Sequence, residues 1–158
     1  NLELARGLDW DAAIGERTAR FPDHAALIRA YRERWEEMVP GPIEGTVRIL
    51  ERLAAAGHAC YALTNFNAET FGRTRARFPF FQLFRGIVVS AEEGLIKPDP
   101  RIFRRLTERF GIDPACTLLI DDSEINVAAA QACGWQGHRF TAPETLAEDL
   151  PRRGLMAR

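Results

Sequence analysis

Beyond Pro42 the chain alternates short apolar runs with stretches of helical periodicity, and this alternation restricts its possible folds more than any other feature. The apolar runs predict strands at Ala59–Leu63, Gly86–Val89, Thr117–Ile120 and Gly137–Phe140. Helical spacing between apolar residues is clear in Ile43, Val47, Leu50 and Leu53. Strands that alternate with helices form parallel sheets with right-handed crossovers. We therefore predict an α/β protein built on a parallel sheet.

The first 40 residues contain no comparable strand run and predict helices only. Asp23 can cap a helix over His24–Met38, in which apolar residues recur at helical spacing. Pro40-Gly41-Pro42 then breaks the pattern and marks a boundary. We expect two domains, a helical unit over residues 1–40 and an α/β unit over 41–158.

The composition argues against several classes of partner. A net charge of −1 gives no electrostatic reason to expect nucleic acid. No apolar run approaches the roughly 20 residues of a membrane helix, and no signal peptide is visible, so we expect no membrane partner. The cysteines, Cys60, Cys116 and Cys133, are odd in number and lack metal-type spacing. We interpret them as reduced thiols of a cytoplasmic protein.

Polar residues follow three of the predicted strands. Thr64-Asn65 comes after the first, Lys97 lies in the segment after the second, and Asp121-Asp122 ends the third. The carboxyl ends of strands form the ligand crevice of open α/β sheets, so we expect these side chains to converge.

Each strand end suggests a part of one chemistry. A hydroxyl, an amide and the free N–H groups of a following helix make an anion cradle, although Thr64 and Asn65 could simply cap that helix. Lys97 is the only lysine among 21 basic residues, and a compact ammonium suits a small anion better than a guanidinium does. Asp121 and Asp122 repel each other and need a cation such as Mg²⁺, unless they form a solvated turn. Together the three ends predict a site that binds and neutralises phosphate.

The order of these motifs resembles the haloacid dehalogenase superfamily of hydrolases. Thr64 matches its second motif, Gly94-Leu95-Ile96-Lys97-Pro98-Asp99 its third, and Ile120-Asp121-Asp122-Ser123-Glu124-Ile125-Asn126 its fourth. The resemblance covers nearly the whole chain and is strongest to the subgroup with a helical cap after the first strand. It implies a Rossmann-like core and makes residues 1–40 part of a cap. Most members are Mg²⁺-dependent phosphatases, so the expected substrate is a small phosphorylated metabolite.

The resemblance also implies roles for individual residues. An aspartate nucleophile would form an aspartyl-phosphate that water then hydrolyses. Thr64 and Asn65 would bind phosphoryl oxygens, and Lys97 would offset the charge of nucleophile and phosphate. Asp121 and Asp122 would hold Mg²⁺, and the sequence leaves open which of them touches the metal. The role of Asn126, where many relatives carry Asp, also stays open.

The family's first motif, Asp-x-Asp at the end of an apolar strand, has no convincing match. Asp9-Trp10-Asp11 has the right letters, but a polar segment precedes it and Ala12-Ala13-Ile14 looks helical, so we interpret it as a helix cap. We expect a core that lacks its first strand and the nucleophile. Open sheet edges invite association, so we predict that this chain alone is unstable, inactive or a homo-oligomer.

Three alternatives to this function differ in the residues that they require. A 2-haloacid dehalogenase needs no metal and usually has small hydroxyl residues in place of the acidic pair, so Asp121-Asp122 favours a phosphatase. A phosphoacceptor receiver domain uses similar residues, but there the acidic pair comes first in the chain. A non-catalytic module that binds phosphate or a protein partner remains open.

Overall fold

The computed structural model describes residues 2–156, which contain nine α-helices and four strands. In chain order their bounds are α1 Leu2–Ala5, α2 Trp10–Arg20, α3 Ala25–Glu33, α4 Glu44–Ala55, β1 Tyr61–Thr64, α5 Ala68–Arg77, β2 Gly86–Val89, α6 Ser90–Glu93, α7 Pro100–Phe110, β3 Leu118–Asp121, α8 Glu124–Ala132, β4 Gln136–Arg139 and α9 Pro143–Arg152. Short 3-10 turns lie at Pro22–His24, Trp35–Met38, Pro79–Leu83 and Pro114–Cys116.

The four predicted strands are confirmed, and they associate in two parallel pairs. β1 pairs with β2, Tyr61 lying opposite Gly86, and β3 pairs with β4, Leu118 lying opposite Gln136. Within residues 2–156 no hydrogen-bonded ladder joins β1 to β3. The α/β class with parallel pairing is therefore as predicted, and the site must bridge two separate strand pairs.

Helices bury apolar residues in two clusters against the strands. The first joins strand residues to α7 and α8, and its buried members are Val88, Ile102, Phe103, Leu106, Leu119, Ala130 and Trp135. The second joins α4 to α9 through Ile49, Leu53, Leu146 and Leu150. Burying a side chain such as Phe103 contributes about 1.5–3 kcal/mol, so the clusters fix the strands whose ends carry the site.

The predicted helix over His24–Met38 was wrong in its bounds. The chain forms the 3-10 turn Pro22–His24, then α3, then the 3-10 turn Trp35–Met38. Pro22 occupies the first position of the first turn, which places Asp23 inside it, and no side chain among residues 2–156 caps α3. A proline at that position starts the turn one residue earlier than the predicted cap.

The helical segment before Pro40 packs directly on the α/β part. Ser90 Oγ lies 2.5 Å from the Ala5 carbonyl, and Trp10 Nε1 donates to Asn67 Oδ1 at 2.9 Å. The guanidinium of Arg73 in α5 donates to the Arg32 carbonyl at 3.1 Å. Residues 2–40 are thus tied to the ends of β1 and β2 and to α5.

No helix found between residues 2 and 156 combines the length and the apolar character that crossing a bilayer requires.

Candidate active site

Lys97 brings two of the predicted strand ends together. Its ammonium donates to the Leu63 carbonyl of β1 at 2.7 Å and to Asp121 Oδ2 at the end of β3 at 2.6 Å. Thr64 follows Leu63 directly and ends β1. The convergence of the three motifs is therefore visible in the contacts of one side chain.

Asn65 holds the backbone of Lys97. Its Nδ2 donates to the Lys97 carbonyl at 2.9 Å, and the Lys97 N–H donates to its Oδ1 at 2.8 Å. One amide hydrogen of Asn65 remains available after these bonds. The structure thus gives Asn65 a positioning task, and its predicted contact with substrate stays a prediction.

The loop that carries Lys97 is fixed at both ends. Gly94 closes α6 in the left-handed conformation with φ 66°, a region that favours glycine. Ile96 is buried at 6% exposure, and the Asp99 side chain accepts the Arg101 N–H to cap α7. The ammonium therefore extends from an anchored backbone toward the strand ends.

Asp121 is buried and accepts three protein hydrogen bonds. Its side chain is only 5% exposed, and its Oδ1 accepts the Ser123 N–H at 3.0 Å and Asn126 Nδ2 at 2.9 Å. Burial alone would raise the pKa of this carboxyl, but the bonds and charge of Lys97, helped by Asn126 and Ser123, hold that pKa below its ordinary value. Asp121 is therefore an anionic partner for Lys97.

Asp122 differs from its neighbour. It is exposed, and across residues 2–156 no hydrogen bond or ion pair engages its carboxylate. The same part of the chain contains no group of three His, Cys, Asp or Glu side chains placed to hold a metal. Mg²⁺ commonly binds one or two carboxylates plus water and substrate phosphate, so a free Asp122 carboxylate fits this ion even without a larger cluster.

The predicted cradle of free N–H groups after β1 was wrong in part. The Phe66 N–H donates to Ser90 Oγ at 3.0 Å, and the Asn67 side chain caps α5 by accepting the N–H groups of Glu69 and Thr70. These donors are already satisfied by the protein. The Thr64 hydroxyl, in contrast, has no partner within the described residues, so it stays available to an anion.

Ser90 was not identified as a site residue by sequence reasoning, and the role of Asn126 was left open. Ser90 is fully buried at the end of β2 and links the N-terminal segment to the loop after Asn65. Asn126 is 9% exposed and contacts Asp121. A serine directly after a strand was the only available signal for Ser90, and such serines are common elsewhere.

Asp9-Trp10-Asp11 forms a helix start, as predicted. Asp9 Oδ1 accepts the Asp11 N–H at 2.8 Å and the Ala12 N–H at 3.2 Å. Asp11 Oδ1 in turn accepts Arg32 Nη1 at 2.7 Å. Both carboxylates therefore have structural partners, and Trp10 between them is buried at 4% exposure.

Aromatic rings lead from the helical segment to the site. Ring centroids are 5.8 Å apart for Trp10 and Tyr31, 5.8 Å for Tyr31 and Trp35, and 5.6 Å for Trp35 and Phe66. Phe66 lies one residue beyond Asn65. This row of four rings packs helix against helix and gives the loop after β1 an aromatic neighbour.

A family model described as haloacid dehalogenase-like hydrolase matches residues 1–134. A sesquiterpene phosphatase of Aspergillus oryzae is 35% identical over 108 residues, which cover 68% of this chain and 54% of that protein. A chloroplast flavin mononucleotide hydrolase of Arabidopsis thaliana is 26% identical over 113 residues, covering 72% of this chain and 46% of that protein. The chain thus spans about half the length of these relatives.

A solved structure shows the same relationship. A HAD family enzyme from Bacteroides thetaiotaomicron, crystallised with magnesium and inorganic phosphate, has 32% sequence identity and a TM-score of 0.55. The match covers 60% of this chain and 52% of that one.

Proposed function

The chain belongs to the haloacid dehalogenase-like hydrolases. From that membership we propose that it carries the phosphate- and Mg²⁺-binding residues of a Mg²⁺-dependent phosphatase that acts on small phosphorylated metabolites. The observation that carries the proposal is the division of the acidic pair, with Asp121 bound to Lys97 and Asp122 left exposed. An exposed carboxylate without a protein partner among residues 2–156, next in sequence to an aspartate that binds a lysine, suits a metal-phosphate complex. A dehalogenase needs no metal and therefore does not need such a carboxylate.

Three side chains would act on the phosphate. Lys97 would neutralise part of its charge while remaining paired with Asp121, and the Thr64 hydroxyl, which has no partner within the described part of the chain, would donate to a phosphoryl oxygen. Asn65 would keep the Lys97 backbone in place and offer its remaining amide hydrogen. These groups bind and orient the phosphate.

Mg²⁺ would be held by Asp122 together with phosphate oxygens and water. Bound there, it would supply Lewis-acid polarisation of the phosphoryl oxygens.

The family's reaction passes through an aspartyl-phosphate, and we assign its nucleophile to no residue described above. Asp9 and Asp11 are occupied in helix capping and in an ion pair, and Asp121 is occupied by three donors. We therefore expect this chain by itself to bind phosphate and Mg²⁺ without turnover.

The proposed substrate class follows from the relatives and from the row of aromatic rings that ends at Phe66. One relative is named a sesquiterpene phosphatase and another a flavin mononucleotide hydrolase. The Trp35–Phe66 pair offers an apolar neighbour to the loop after Thr64. A small phosphate ester with an apolar or aromatic group is the class that suits these features.

The test is phosphate release by the protein expressed from its complete coding sequence. The panel contains a sesquiterpenyl monophosphate, flavin mononucleotide and sugar phosphates, each in Mg²⁺ and in EDTA. Mg²⁺-dependent release supports the proposal. Halide release from 2-chloropropionate that survives EDTA would assign a dehalogenase instead, and binding of phosphate without either product would assign a non-catalytic module.

We also propose that the isolated chain forms a homo-oligomer in a reducing, cytoplasmic compartment. β1 and β3 share no hydrogen-bonded ladder within residues 2–156, and open strand edges favour association. Cys60, Cys116 and Cys133 are free thiols. Light scattering after size exclusion tests the assembly, and a monomer at all concentrations would contradict it.

A further inference from the structure

Asn126 is a buried polar residue of α8 that contacts the acidic pair. It is 9% exposed, and its Nδ2 donates to Asp121 Oδ1 at 2.9 Å. The Ser123 N–H donates to the same oxygen at 3.0 Å, while Lys97 Nζ lies 2.6 Å from the other oxygen. Both oxygens of Asp121 are therefore taken by protein donors.

These bonds limit what Asp121 can do. Three of the roughly four lone-pair sites of this carboxylate accept protein hydrogens, and the remaining site is on Oδ2, the oxygen that Lys97 binds. A cation there would lie close to the Lys97 ammonium and would be repelled by it. Asp122 faces no such limit, because it is exposed and no protein group engages it between residues 2 and 156. Two adjacent carboxylates thus differ in their capacity to accept a metal.

We propose that Asn126 is a positioning residue that separates the roles of the two aspartates, keeping Asp121 turned toward Lys97 so that Asp122 alone faces the metal. The part that concerns the metal rests on the proposed function. An amide suits this task because it donates a hydrogen bond, whereas a carboxylate only accepts. An aspartate at this position would oppose Asp121 at hydrogen-bond distance and would require a cation between them.

The proposal makes Asn126→Asp a variant whose stability depends on metal. Thermal unfolding of this chain is compared in EDTA and in millimolar Mg²⁺, without any activity readout. In EDTA the variant is expected to unfold about 10 °C or more below the wild-type chain, because two buried carboxylates repel each other. Mg²⁺ is expected to restore at least half of that loss, since the ion would bind Asp121, Asp122 and the new carboxylate together.

Two further variants separate positioning from ordinary packing. Asn126→Leu removes the donor without adding charge, and we expect a loss of about 4–8 °C that Mg²⁺ does not reverse. Gln82→Glu makes the same amide-to-carboxylate change at an exposed position, where the side chain has no hydrogen-bond partner among residues 2–156. Its unfolding temperature is expected to stay within about 2 °C of wild type in both buffers.

The outcomes are decisive in each case. Equal losses for Asn126→Asp and Asn126→Leu, with no response to Mg²⁺, would reduce Asn126 to a packed polar residue and overturn the proposal. If Asn126→Asp does not fold, Asn126→Leu decides alone, and wild-type stability in that variant overturns the proposal. A wild-type chain whose stability does not respond to Mg²⁺ would remove the metal from the proposed function, whereas a loss in EDTA that is larger for Asn126→Asp than for Asn126→Leu would still support the positioning of Asp121 by Asn126.

Discussion

Lys97 and Asp121 form a buried ion pair across the two parallel strand pairs. Their side chains are 11% and 5% exposed, and the ammonium lies 2.6 Å from the carboxylate. The same ammonium bonds the Leu63 carbonyl of β1, so it is a direct polar link between β1 and β3. The residue that neutralises charge in the site therefore also holds the site together.

This double role predicts a large stability effect for Lys97→Ala. Removing the ammonium leaves the Asp121 carboxylate buried without its countercharge, which costs about 3–5 kcal/mol. Lys97→Arg keeps the charge, but a guanidinium cannot occupy the place of a compact ammonium, so we expect an intermediate loss. Urea unfolding of the three chains measures these differences.

Arg101→Ala is the matched control for that experiment. Arg101 pairs with Asp99 at the surface and is 65% exposed, and such pairs contribute less than about 1 kcal/mol. A Lys97→Ala chain as stable as this control would contradict the buried role of the pair. In the phosphatase assay, a Lys97→Ala variant that keeps more than about a tenth of the wild-type kcat would contradict the proposed contact of Lys97 with phosphate.

The fold was predictable because its signals are local. β2 was predicted with its observed bounds, and the other strands shifted by at most two residues. Apolar runs and turn residues act over a few positions, as at Gly111 and Gly134, which end α7 and follow α8 with positive φ. The convergence of Lys97 with Asp121 followed from the general geometry of parallel strands.

The hydrogen-bond partners within the site were not predictable, because they join residues distant in sequence. Asn65 reaches Lys97 across 32 positions, and Ser90 reaches Ala5 across 85. Sequence pattern gives no measure of such distances. The pattern therefore predicts free N–H groups after β1, whereas in the structure Ser90 and Asn67 accept hydrogen bonds from these groups.

Asp122→Asn separates metal binding from stability. Because Asp122 is exposed and unpaired among residues 2–156, its free energy of unfolding in EDTA should change by less than about 0.5 kcal/mol. Mg²⁺ affinity, measured by calorimetry in the presence of phosphate, should fall at least about tenfold, since a ligand charge is lost. Asp121→Asn is the comparison, and a greater loss of stability is expected there. Unchanged Mg²⁺ affinity in Asp122→Asn would place the metal elsewhere.

Arg73 is predicted to hold the helical segment on α5. Its guanidinium pairs with Glu36 and donates to the Arg32 carbonyl at 3.1 Å. In Arg73→Ala, amide hydrogen exchange over residues 25–38 should accelerate at least about tenfold, because local opening loses these contacts. Exchange in β1 to β4 should not change. Arg75→Ala, an exposed neighbour on the same helix, is the control, and equal acceleration in both variants would contradict the role of Arg73.

Asp149 is predicted to make part of the stability dependent on pH. It lies 2.7 Å from His138 Nδ1 and 2.6 Å from Arg153 Nε. Burial raises the pKa of Asp149, but its bonds to Arg153 and His138 outweigh burial and leave the pKa below its ordinary value of 3.8. A depressed folded-state pKa means that the stabilisation is fully present above the unfolded-state value and is lost as the pH falls through the folded-state value.

The measurement is the free energy of unfolding of wild type and Asp149→Asn between about pH 6 and pH 2. The wild-type advantage should be constant down to about pH 5 and should shrink below about pH 4, as the carboxylate takes up a proton. The pKa of Asp121 is also lowered, so its contribution to stability changes with pH in the same direction. Asp121 is present in both proteins, however, and its contribution cancels in the difference. Glu148→Gln changes an exposed neighbour and should track wild type throughout. A wild-type advantage that does not change with pH would show that the charge of Asp149 does not stabilise the contact of α9 with β4.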